Sequence, residues 1–225
     1  MIYVMFLLIA IVSTCAIGFY CNYEGVFESI IPNLPKKKIS DDVKPYSKKM
    51  VSIILTVIFA LTFLAQVSLH KNAEIVGFIK LFVLLLIVFC AGVIDFKRKI
   101  IPNILILFGL MFWVGITFFE IFNSDNFKGI MISELIGFAV GFGLLAVVSL
   151  ITKGAMGFGD VKLFGVIGLI GGAFCTYSTL LVSLIVSVIV SVIGMIRKKI
   201  GRKDAIPFGQ CIAVGYLIVL FLASY

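Results

Sequence analysis

Two acids in this apolar chain stand where chemistry is possible. Asp160 follows a pair of glycines in Gly157-Phe-Gly159-Asp160-Val-Lys162, and Asp95 precedes the basic run Lys97-Arg98-Lys99. Two carboxylates held a few ångströms apart cannot both ionise easily, so such a pair shares one proton. It can then activate a water and polarise a carbonyl at the same time. Read singly, each acid has a plainer explanation. Asp is a favoured N-cap that the helix dipole stabilises, so Asp160 reads equally well as a cap. Asp95 reads equally well as the partner of Lys97, Arg98 or Lys99 in an interfacial salt network. An ordinary loop and an ion site are open as well. The glycines sharpen the choice, because Gly157 and Gly159 give a flexible backbone that another backbone can approach closely. A cap alone needs no such pair. A protease that takes an extended peptide at a membrane boundary does.

The elements that must position these acids follow from composition. The chain has 225 residues, 62% hydrophobic and 13% charged, with a mean hydropathy of +1.22. That is the composition of a polytopic membrane protein. Apolar runs of about 20 residues place spans near 2–20, 51–69, 75–94, 102–122, 130–151, 161–173, 175–196 and 211–225. A single helix over 161–196 would overrun the bilayer, which favours the split there. The expected fold is all-α, a single membrane domain over 1–225 with about eight transmembrane helices. Asp95 then ends the third span and Asp160 begins the sixth, at the same membrane depth. Ionisable groups bordering the hydrocarbon are costly and mark functional sites by default. Glu120 and Glu134 fall near the outer ends of their spans, where water is in reach. Gly165, Gly168, Gly171 and the Gly137-x-x-x-Gly141 pair read mostly as helix-packing positions.

The net charge of +8 is a topology signal. All of the 19 cations except Lys71, Lys80 and Lys128 fall in alternate connections. The positive-inside rule makes that side cytoplasmic and puts both termini outside. A nucleic-acid partner thereby loses its support. The first span has no basic segment before it and a basic loop after it, so it reads as a retained helix and not a cleaved signal. Residues 21–50 read as a solvated cytoplasmic loop that meets anionic headgroups. The five cysteines, Cys15, Cys21, Cys90, Cys175 and Cys211, form no C-x-x-C pair, so neither a disulfide framework nor a zinc site is expected. His70, the sole histidine, cannot build a triad alone.

Three stretches resemble the type IV prepilin peptidases, bacterial members of the GxGD group of membrane aspartyl proteases. They are Asp95-Phe-Lys-Arg-Lys-Ile-Ile-Pro-Asn103, Gly157-Phe-Gly-Asp160-Val-Lys162-Leu and Ile206-Pro-Phe-Gly209. The likeness runs over roughly 75–225 in order and spacing. It implies an aspartic endopeptidase of the cell membrane, acting at the cytoplasmic face. The substrates implied are type IV prepilin or pseudopilin precursors, for pilus assembly or protein secretion, from which a short basic leader is cut. Asp95 and Asp160 carry over as the catalytic pair, with Gly157, Gly159, Lys162 and Asn103 in support. Many relatives carry two C-x-x-C pairs after the first helix, associated with methylating the new N-terminus. Residues 21–50 hold only Cys21, so cleavage without methylation is expected. Position 210 is glutamine where many relatives have proline.

The expected mechanism needs no cofactor and no metal. One aspartate takes a proton from the attacking water, and the other polarises the scissile carbonyl and helps protonate the leaving amine. A helix N-terminus at Asp160 favours its anion and a helix C-terminus at Asp95 disfavours one, which makes Asp160 the expected base. Lys162 either sets the field near the pair or meets a membrane lipid phosphate. Asn103 either shapes the site or makes a local backbone bond. Pro102 and Pro207 read as helix starts. The rival class is a secondary transporter or proton pathway using the same aspartates, but such acids tend to lie near the bilayer midplane. Substrate identity and oligomeric state are not encoded in any motif.

Overall fold

The computed structural model describes residues 75–151, 157–197 and 207–222. The chain groups into two units, Met1–Ile75 and Val76–Tyr225, and the described residues belong to the second apart from Ile75. The spans expected at 2–20 and 51–69, the loop at 21–50, Cys15, Cys21 and His70 lie outside them. Among the described residues the regular structure is helical throughout.

Helix α1 covers Ile75–Arg98, α2 Asn103–Asn123 and α3 Phe127–Phe138. A π-helical turn, Ala139–Leu144, joins α3 to α4, Leu145–Ile151. Helix α5 covers Phe158–Ile196 and α6 Phe208–Leu222. Among the described residues, four segments are long and apolar enough to cross a membrane: Val76–Phe96, Asn103–Asn123, Phe127–Ile151 and Phe158–Ile196. As one rod, the 39 residues of α5 would measure about 58 Å, nearly twice the hydrocarbon thickness. The chain avoids this with a break at Gly172, whose φ of 75° and ψ of −176° are non-helical. That break falls where the bilayer limit divides the sequence. Proline marks two starts: Pro102 is the extended residue before α2, and Pro207 directly precedes α6.

The first half of α5 is the central helix. Val161, Leu163, Phe164, Gly165, Val166, Ile167 and Gly168 are all buried, as expected of a helix apolar on every side. Helices α2, α3 and α6 pack on it, and small residues set the approach. A Cβ on Gly168 would overlap the backbone of Gly137 and Phe138, and one on Gly141 would lie 2.6 Å from the Phe164 carbonyl oxygen. On Gly109 it would lie 2.5 Å from Val166 Cγ1. Close backbone contact of this kind is how apolar helices gain packing where no hydrophobic drive separates them from lipid.

The placement of Glu120 and Glu134 within reach of water is corrected by the structure. Both are buried, and so is Lys80. The Lys80 ammonium donates to Glu120 Oε2 at 2.7 Å and to Glu134 Oε1 at 2.6 Å. The indole N–H of Trp113 donates to Glu134 Oε2 at 2.9 Å. Three helices are thereby pinned together by one cation, since a buried carboxylate is tolerated only when paired and hydrogen-bonded. Along α1, Lys80 lies about 22 Å from Asp95 at 1.5 Å per residue. The cluster and the aspartates thus occupy opposite ends of the unit.

Candidate active site

Asp95 occupies the last turn of α1. The helix closes just beyond it: the backbone N–H of Lys99 donates to the Asp95 carbonyl oxygen at 2.8 Å. Lys99 itself sits at φ 55°, the left-handed conformation that commonly ends a helix. A carboxylate at a helix C-terminus faces the negative end of that dipole. Compensation arrives from α6, where the backbone N–H of Gly209 donates to Asp95 Oδ2 at 2.7 Å. Gly209 is the second residue of α6, so its N–H is one of those a helix cannot satisfy internally. Phe208 stacks on Phe164 of α5 with ring centroids 6.3 Å apart, fixing where α6 begins. Only glycine fits at 209, because a Cβ there would lie 2.9 Å from both Cβ and Oδ2 of Asp95.

Asp160 is the third residue of α5. The N-cap is Gly157, and no side-chain capping bond is made there, so the capping role open to Asp160 in the sequence is not the one it has. Its backbone N–H bonds the Gly157 carbonyl at 3.0 Å, and its buried Oδ1 has no hydrogen-bond partner. The charge that acts on it is that of Asp95. Cys211, buried two residues beyond Gly209, feels both carboxylates. The fold therefore gathers Asp95, Asp160 and the start of α6 at one end of the bundle.

The two loop glycines make room for side chains. A Cβ on Gly157 would lie 3.1 Å from Asp160 Oδ2, and one on Gly159 would lie 3.0 Å from Ile101 Cβ. Neither uses left-handed backbone. Gly157 gives the Asp160 carboxyl its space, and Gly159 lets α5 start against the α1–α2 connection.

Lys162 and Asn103 belong to a different face. At about 100° per residue, Lys162 lies about 200° around α5 from Asp160. Its ammonium donates to Asn103 Oδ1 at 3.0 Å and sits 5.8 Å from the centroid of the Phe158 ring. The role of Lys162 in setting the field at the pair therefore loses its basis, and Asn103 bonds a side chain, not the local backbone. Sequence reasoning gave Gly209 no role of its own. The signal available was its place two residues after a proline, where a helix N-terminus is expected. Nothing in the spacing of Lys80, Trp113, Glu120 and Glu134 announced their cluster.

Comparison with known proteins points to one family. The model of the type IV leader peptidase family matches residues 81–195. A prepilin leader peptidase/N-methyltransferase of Bacillus subtilis (strain 168) is 29% identical over 137 residues, which is 61% of this chain and 52% of that protein. The chain thus spans about half the length of that relative. No solved structure matches it.

Proposed function

The chain belongs to the type IV leader peptidase family, and from that premise we propose that it is a membrane aspartic endopeptidase. It removes the short basic leader of type IV prepilin or pseudopilin precursors at the cytoplasmic face of the cell membrane. The observation that carries this reading is a pair of buried aspartates near enough for the charge of one to act on the other, with Asp95 Oδ2 held by the N-terminus of α6 and Asp160 Oδ1 left without a partner among the described residues.

That asymmetry divides the labour, and does so in the opposite sense to the local helix dipoles. A charge-assisted bond from a backbone N–H favours the anion at Asp95. Asp95 is then the base that takes a proton from water, and Asp160 carries the shared proton toward the scissile carbonyl. After attack, the pair returns a proton to the leaving amine. Burial of both acids keeps the site in low dielectric, where such hydrogen bonds act strongly. A transporter reading is not favoured, since family membership points to peptide cleavage.

The test is cleavage of a purified prepilin precursor by the full chain in detergent or proteoliposomes. Asp95→Asn and Asp160→Asn should each lower the rate about 100-fold or more, as expected on losing a general acid or base. If either folded variant cleaves at the wild-type rate, the two-aspartate mechanism is wrong.

A further inference from the structure

Behind the aspartates, on the far side of α5, lies a cleft of about 510 Å³. Helix α2 supplies one wall with Ile104, Leu107 and Leu110, while Phe138 and Phe142 supply the other. Gly165 and Val166 of α5 form the floor. The two phenylalanine rings stack with centroids 5.2 Å apart and planes 7° from parallel, giving a flat aromatic wall. Gly165 is what leaves the floor low, because a Cβ there would press to 3.2 Å against the Phe138 ring.

The polar groups of the cleft are gathered at one end. Asn103 opens α2, and Lys162 lies in the first turns of α5. Both therefore sit at the same end of the bundle as Asp95. From Asn103 to Leu110 the cleft follows about 10 Å of helix. Lys162 is bonded there only to a neutral amide and an aromatic face, and no carboxylate pairs with it among the described residues. An ammonium at the rim of an apolar cleft, with no carboxylate paired to it among the described residues, suits an external anion. Ile104 and Leu107 at the edge are about half exposed, so the cleft opens sideways along a helix that is long and apolar enough to lie in a membrane. A molecule that enters by this route has an apolar tail and an anionic head.

We propose that this cleft is a binding site for one anionic phospholipid, its phosphate on Lys162 and Asn103 and an acyl chain between Leu107 and the Phe138–Phe142 wall. The volume lies within the range of ~300–1,000 Å³ that holds a small ligand. A cation on a long apolar stem suits both parts of such a molecule, since the stem lies along the cleft and the charge reaches the headgroup. The site is separate from the aspartate pair and does not depend on the peptidase reading. Its occupancy is read without any substrate.

The experiment uses the full chain, stripped of lipid in non-ionic detergent. It is incubated with phosphatidylglycerol or phosphatidylcholine of identical acyl chains, and bound lipid is counted by native mass spectrometry. One phosphatidylglycerol should be retained in preference to phosphatidylcholine, and excess inorganic phosphate should not displace it. Lys162→Gln should weaken phosphatidylglycerol about tenfold, the loss of one charge-assisted hydrogen bond, and weaken phosphatidylcholine less, because its choline cation already offsets the phosphate charge. Leu107→Trp fills the cleft from an exposed position and should weaken both lipids. Equal retention of the two lipids by the wild type overturns the proposal. So does wild-type phosphatidylglycerol binding by folded Lys162→Gln, or full displacement by phosphate, which would mark a bare anion site.

Discussion

Replacing Gly209 with alanine tests how Asp95 is held. The added Cβ would lie 2.9 Å from the Asp95 Cβ and equally close to Oδ2, nearer than side chains tolerate. Either the carboxyl rotates away or the start of α6 lifts. In both cases the 2.7 Å bond from the Gly209 N–H is lost. A hydrogen bond to a charged group contributes about 1.5–3 kcal/mol. Each 1.36 kcal/mol is tenfold in rate, so kcat/KM for prepilin cleavage should fall about 10- to 150-fold. The assay is the initial rate of leader removal, resolved by gel shift, with helicity and thermal midpoint recorded for each variant. Gly115→Ala is the control, because a Cβ there meets nothing within 4 Å and alanine is the better helix former. If Gly209→Ala stays folded and cleaves within about threefold of wild type, the α6 N-terminus does not orient Asp95. The division of roles between the aspartates then falls with it.

The remaining predictions concern the scaffold and the product. Lys80→Met removes the cation shared by Glu120 and Glu134 and leaves two buried acids together. It should cost about 3–5 kcal/mol and lower the thermal midpoint by roughly 10 °C, and an unchanged melting curve would show the cluster to be idle. Gly168→Ala should force α3 from α5 at the Gly137 contact and destabilise by about 1–3 kcal/mol, measured by thermal unfolding in the same detergent. Mass spectrometry of the cleaved product should find an unmodified N-terminus even with a methyl donor present, since Cys21 is the sole cysteine in residues 21–50. A methylated product would refute that.

Much of the scaffold is local in origin and so can be read along the chain. An apolar run of about 20 residues becomes a helix because backbone groups in hydrocarbon must bond within their own segment. That rule places α1, α2, the α3–α4 segment, both halves of α5 and the start of α6 within a few residues. It also calls for the break that Gly172 supplies. Asp95 and Asp160 stand out for the same reason, as acids at the edge of such runs, and Gly137, Gly141 and Gly168 pack helices as their spacing suggests.

What the tertiary structure decided is electrostatic. Along the sequence, Asp95 meets the wrong end of its own helix dipole and Asp160 the right end of its own, which makes Asp160 the expected base. In the fold, α6 brings a positive helix end to Asp95 from 114 residues away, while Asp160 Oδ1 meets no donor. Lys162 stands two residues from Asp160, yet the helical turn sends it to the opposite face and onto the rim of the apolar cleft. Glu120 and Glu134 looked like water-facing acids until Lys80, 40 and 54 residues away, closed over them. Sequence gives each charge its own helix and depth. Its energy depends on which neighbours fill the space around it, and only packing supplies those.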